Sequence, residues 1–123
     1  MKEIKFRSWI KDKKEMLYEF TLKQPTVSHC KSNILMQYTG LKDKKGKEIY
    51  EEDIIQTSYM KNRGCAYRCV FSAEFGGYLF DPFVIGDKDA PLLGLEEFAQ
   101  QWEEVKHGEV IGNIYENPEL LSN

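Results

Sequence analysis

Cys65 and Cys69 stand four residues apart, and His29 adjoins Cys30. These are the side chains of the 123-residue chain best suited to hold a soft metal. Their spacing is not that of a zinc knuckle, and the plainer reading is free, partly buried thiols. An odd total of three cysteines is no disulfide framework and suits a reducing compartment. His29 and Cys30 point to opposite sides if extended, so they cannot pair as base and nucleophile. His107 falls in the last turn of an expected helix, where an imidazolium favours the dipole. Among the carboxylates, Asp53 precedes Ile54-Ile55 at a strand start, where it caps a turn through backbone N–H groups. Asp81-Pro82 reads as a bend in a strand. Asp87 and Asp89 lack the ligand run of a calcium loop. No nucleophile elbow, P-loop, H-E-x-x-H or dinucleotide fingerprint occurs. The expectation is a protein with no catalytic residue, no metal and no cofactor.

Lysines offer the other chemistry. Lys11, Lys13 and Lys14 crowd one turn, and Lys42, Lys44, Lys45 and Lys47 crowd a second. Projected from one side, the two tips would grip phosphates, with exposed aromatics stacking on bases. Lysine-rich turns are also the ordinary means of keeping β-hairpins soluble. Both readings stand on sequence alone.

The elements that must carry these residues are mostly strands. Lys2 to Ile10 alternates, with Lys5, Arg7 and Trp9 on one face, and Met16 to Leu22 returns. Trp9 beside cations reads chiefly as packing. A polar loop at Pro25–Ser32 separates this hairpin from the rest. Strands follow at Ile34–Tyr38, Glu48–Tyr50, Asp53–Tyr59, Tyr67–Phe75 and Tyr78–Val84, with Gly76-Gly77 as a two-residue turn. Phe71, Phe75, Tyr78, Phe80 and Phe83 read mainly as core. Leu95, Phe98, Ala99, Trp102 and Val105 recur at helical spacing, and Gly108 can end that helix in the left-handed conformation. Glu109–Tyr115 is a last strand, and Asn117-Pro118 opens a terminal helical turn. Many short strands with tight turns indicate a small barrel or strongly curved sheet.

One domain is expected from the length. The net charge of −3 divides into +4 over residues 1–86 (15 Lys/Arg, 11 Asp/Glu) and −7 over residues 87–123 (2 and 9). Such a dipolar molecule suits an acidic partner or a neighbouring copy. No apolar run is long enough to cross a membrane, and the N-terminus lacks the apolar core of a signal peptide, so a cytoplasmic protein is expected.

Three blocks, "MKEIKFRSWI", "ILMQYTGLKDKKGKEIYEEDII" and "EVIGNIYENPELL", resemble the YopX family of bacteriophage and prophage proteins. Glu52 stands where that family would place Gly, which argues against a positive-φ turn there; Ile10 stands where Asp is expected. The resemblance implies a β-rich fold with an SH3-like C-terminal part and origin in a phage or prophage. It carries over no reaction and no functional residue. The reading is mainly β: a small SH3-like barrel or strongly curved antiparallel sheet. An N-terminal hairpin unit spans residues 1–33, a barrel-type domain spans 34–123, and one amphipathic helix accompanies them. The expected role is a non-catalytic interaction module for a protein partner, a host factor or a second copy. The alternative is weak, salt-sensitive nucleic-acid binding through the seven lysines.

Overall fold

The computed structural model describes residues 4–20, 33–91 and 105–122. It is mainly β. Strands β1 (Phe6–Ile10), β2 (Glu15–Phe20), β3 (Ile34–Lys42) and β4 (Glu48–Tyr50) form one antiparallel sheet in the order β2-β1-β3-β4. Strands β5 (Asp53–Gln56), β6 (Cys65–Ser72), β7 (Gly77–Val84) and β8 (Glu109–Asn113) form a second, in the order β7-β6-β5-β8. The expected N-terminal hairpin is therefore stitched into the first sheet: β1 pairs with β3 from Phe6↔Gln37 to Trp9↔Ile34. Between Tyr38↔Tyr50 and Lys42↔Glu48, β3 spends four residues where β4 spends two. Thr39 fills the irregularity, its hydroxyl donating to Ile49 O (2.7 Å) and accepting from Leu41 N (3.1 Å). Such bulges bend a sheet and increase its twist.

Neighbouring strand residues face opposite ways, so a strand with two buried faces has consecutive apolar residues. Ile54 and Ile55 on β5 are both fully buried. Ile55 joins Ile49, Met60, Cys65, Tyr67, Cys69, Phe80 and Val105, while Ile54 joins Ala66 and Phe83. Each isoleucine contributes roughly 1.5–3 kcal/mol through burial.

Four local expectations need correction. The strand expected over Asp53–Tyr59 stops at Gln56, and helix α1 (Ser58–Arg63) follows. Thr57 caps it, its hydroxyl accepting from Met60 N at 3.2 Å, and Gly64 closes it at φ 70°. The turn at Gly76-Gly77 is longer than two residues: Gly77 is in β7, and Gly76 (φ 72°) donates its N–H to Ser72 O at 2.8 Å. Gly108 is not left-handed. It is needed for close approach, since a Cβ there would lie 2.8 Å from Ile55 Cγ2 and 3.0 Å from Gln56 O. Phe71 and Phe75 are exposed rather than core. The amphipathic helix expected over Leu95–Val105 lies outside the described residues apart from Val105, which is buried. The Pro25–Ser32 loop, with His29 and Cys30, also lies outside them.

Candidate functional site

The most conspicuous polar feature is an ion pair inside the protein. Alternation along β1 turns Arg7 inward, away from water, where it meets Asp53 at the start of β5. The two side chains are each 2% exposed, and Arg7 Nη2 lies 2.9 Å from Asp53 Oδ1. Arg7 Nη2 also donates to the Glu51 carbonyl at 3.0 Å, and the guanidinium lies 4.9 Å from the centre of the Tyr50 ring. Asp53 Oδ2 accepts from Tyr50 N at 2.8 Å, as expected of a turn-capping aspartate. Burial pushes the Asp53 carboxyl up, with Arg7 and the Tyr50 N–H pulling against it. With both oxygens occupied, Asp53 is an electrostatic tie between β1 of one sheet and β5 of the other. Burial, then Glu48, pushes the Tyr50 hydroxyl up to about 12.

Above this pair is a cleft of about 290 Å³. Arg7, Tyr18, Lys47 and Asp53 form one side, and β8 with Glu116 and Asn117 forms the other. Asn113 organises that second wall. Its side-chain oxygen accepts from Tyr115 N (3.0 Å) and Glu116 N (2.8 Å), and its amide donates to Glu116 Oε1 (2.7 Å). Asn117 does not cap the terminal 3-10 turn (Pro118–Leu120); its Oδ1 accepts from Asn113 N at 3.2 Å. Trp9 packs as expected, stacking on Tyr115 with ring centres 5.8 Å apart.

The structure does not bring the two lysine clusters together. Lys11, Lys13 and Lys14 are exposed in the β1–β2 turn, and Lys42, Lys44, Lys45 and Lys47 are exposed around the β3–β4 turn. Because β1 ends beside Ile34, the first turn sits at the start of β3 and the second at its end. Eight residue steps along the strand separate them by roughly 25 Å. The second tip is also docked and partly neutralised. Asp43, 6% exposed, accepts from Lys45 N and Lys47 N through Oδ1 and from Val110 N through Oδ2, each at 2.9 Å. Lys44 N donates to Gly108 O at 3.0 Å. Glu109 takes the ammonium groups of Lys44 (3.2 Å) and Lys45 (3.4 Å), and its hydrogen bonds from Lys44 lead in holding its carboxyl below the usual range.

The structure keeps apart the two thiols that the described residues include. Cys65 and Cys69 are buried on one strand, four steps or roughly 13 Å apart along it, too far for a shared ion. Burial pushes both thiols up, Cys69 the further, with Asp53 adding to its shift. Among the described residues no group of three His, Cys, Asp or Glu side chains could hold a metal. His107 is exposed in a turn, and Asp81 is exposed across from Arg68.

A different surface stands out on β6–β7, the hairpin with the longest uninterrupted register. At its tip Phe71 is 53% exposed and Phe75 62% exposed. Phe71 lies across from Tyr78, with ring centres 5.5 Å apart in an edge-to-face arrangement.

A model of the family described as YopX protein matches residues 20–122. The chain belongs to the YopX family. The match begins at the end of β2, so Arg7 and the first lysine cluster precede it. Among solved structures, the crystal structure of protein EF1440 from Enterococcus faecalis is similar at 25% identity and a TM-score of 0.61. That similarity covers 99% of this chain and 100% of the other. No match is found among curated proteins.

One YopX position behaves contrary to expectation. Glu52, standing where Gly was expected, does adopt a left-handed backbone, with φ 71°. Its N–H donates to Cys69 O (2.7 Å) and its carbonyl accepts from Ile114 N (3.2 Å), fixing the conformation. Its carboxylate then receives a fork from Arg68, Nε to Oε1 at 2.8 Å and Nη2 to Oε2 at 3.0 Å. Backbone and side-chain bonds thus offset the local strain of a left-handed glutamate.

Proposed function

We propose that this YopX protein is a non-catalytic interaction module that binds a protein partner through the tip of the β6–β7 hairpin. The observation that carries the reading is the exposure of Phe71 and Phe75 at the tip of a hairpin paired without interruption from Cys65↔Val84 to Ser72↔Gly77. Covering the exposed part of either ring would contribute roughly 1–2 kcal/mol, and aromatic side chains are enriched at the centres of interfaces. The SH3-like resemblance, the phage or prophage setting and a cytoplasmic location belong to the same reading. No described helix is long and apolar enough to cross a membrane. The partner is a host protein, with a second copy of the chain as the competing outcome.

Nucleic-acid binding has less support, because the lysine tips lie far apart and Glu109 engages two of the seven cations. The test is a quantitative pull-down from bacterial lysate with the wild type and a Phe71→Ser/Phe75→Ser variant of equal thermal stability. A protein retained by the wild type and lost by the variant supports the reading. Identical retention by both refutes it. A solution mass of twice 14.4 kDa for the wild type alone assigns the surface to self-association.

A further inference from the structure

Four of the seven large apolar side chains left exposed among the described residues gather around one polar junction between the sheets. There the Tyr78 hydroxyl of β7 donates to Gln37 Oε1 of β3 at 3.1 Å. On the β7 side Tyr78 meets Phe71 edge-to-face, and Phe75 stands exposed in the turn that follows β6. On the β3 side Gln37 lies directly across from Phe6, and residues so paired point the same way. Leu35, two residues back along β3, shares that face and is 47% exposed. The Lys5 carbonyl accepts from Tyr38 N at 2.9 Å, which extends the pairing past Phe6. Alternation therefore places Ile4, 59% exposed, on the same face. The apolar surface of the hairpin tip thus continues onto the first sheet, and contiguous exposed patches of this kind mark interaction sites.

Glu51 sits at the middle of this surface. It pairs with Gln37, its N–H donating to Gln37 O at 3.0 Å and its Oε1 accepting from Gln37 N at 2.7 Å. Burial, then Glu51, pushes the Tyr78 hydroxyl up to about 12, as a carboxylate close to the phenol should. The second carboxylate oxygen, Oε2, has no hydrogen-bond or ion-pair partner among the described residues. Neighbouring cations are committed elsewhere: Lys5 to Glu48, Arg7 to Asp53 and Arg68 to Glu52. Glu74, exposed in the hairpin turn, adds negative charge at the tip. We infer that the contact surface spans both sheets and takes a segment of a partner protein in which a lysine or arginine lies between apolar side chains, the cation meeting Glu51. The inference rests on the hairpin-tip reading and adds the chemistry of the partner. Apolar groups of the segment cover Ile4, Leu35, Phe71 and Phe75, and its cation answers the carboxylate that the chain leaves unpaired. Such a pair fixes register and disfavours acidic segments and nucleic acid, which would set like charges together.

The test is selection of peptides from a random display library on the immobilised full chain, followed by solution affinities of the enriched peptides. Enriched sequences should place Lys or Arg among apolar residues. Glu51→Gln keeps an acceptor for Gln37 N, and it should weaken binding about tenfold and flatten its salt dependence between about 50 and 500 mM. Leu35→Ser, at an exposed strand position, should weaken binding severalfold. Peptides lost with Phe71→Ser/Phe75→Ser but indifferent to Glu51→Gln and Leu35→Ser would overturn the inference and leave the hairpin-tip reading standing. Peptides indifferent to all these variants would overturn both. No enrichment, or enrichment of acidic sequences, would overturn the inference. So would a dimer of the free chain that Glu51→Gln dissociates, which would assign the surface to a second copy.

Discussion

Replacing Arg7 with Met should destabilise the protein far more than a typical surface change. The substitution keeps most of the volume but leaves the Asp53 carboxylate, 2% exposed, with only the Tyr50 N–H as a partner. Breaking a buried pair by removing one member costs about 3–5 kcal/mol, a large part of the 5–15 kcal/mol of a typical domain. Asp53→Asn should cost a similar amount, because it leaves a buried guanidinium uncompensated while its amide oxygen still accepts from Tyr50 N. The double variant then removes both charges and orphans no backbone donor. It should lose less than the sum of the singles, with an interaction energy of about 2–4 kcal/mol. In urea, with a slope of about 1.5 kcal/mol/M, each single variant should shift the midpoint by roughly 2–3 M. The pH dependence has a definite sign. Burial raises the Asp53 carboxyl in the folded state, so its contribution is favourable below the unfolded value and is lost as pH rises through the folded one. Arg7 opposes that rise, so the penalty of Arg7→Met should shrink as pH falls. Single-variant losses under about 1 kcal/mol, or additivity within about 0.5 kcal/mol, would refute a facing, desolvated pair.

Glu52→Ala should lose about 1 kcal/mol with the part-exposed Arg68 fork, whereas Glu52→Gly should be near neutral because relief of the left-handed backbone offsets that loss. Chemical unfolding of both variants checks the order. In a Cys30→Ser background, Cys65 and Cys69 should resist thiol reagents at pH 8 until the protein unfolds, since burial pushes both thiols up. Rapid labelling of native protein would contradict this. Glu109 is held below its ordinary range, so its contribution is present above the unfolded value of about 4.5 and fades as pH falls. Protection of the Lys44 and Val110 amides, taken relative to the intrinsic exchange rate at each pH, should fall in that acid window and stay unchanged in Glu109→Gln.

Period-two alternation made most strands legible, because half-buried sheets impose it on residues such as Tyr67, Cys69 and Phe80. The same signal misled beyond Gln56, where Ile54-Ile55 runs straight into Thr57-Ser58. The capping threonine, Lys61 and Arg63 in the last turn and Gly64 beyond them were the cues for α1. The turn bond of Asp53 was readable because its partner is three residues away. Its salt bridge was not, since Arg7 lies 46 positions earlier and an alternating strand does not say which face is covered. Glycine readings failed for a related reason. Gly108 is required by the approach of β5, a neighbour distant in sequence, and not by its own backbone angle. The lysine tips were visible as clusters, but only strand register reveals that they occupy opposite ends of β3.

The proposal that the β6–β7 tip is a contact surface is tested most directly by photocrosslinking in cells, with a benzophenone amino acid at position 75 and, as a control, at position 13. Both positions are exposed, one among aromatics and one among lysines. A discrete adduct from position 75 and none from position 13 is the expected result. No adduct from position 75, or the same adducts from both positions, would contradict it.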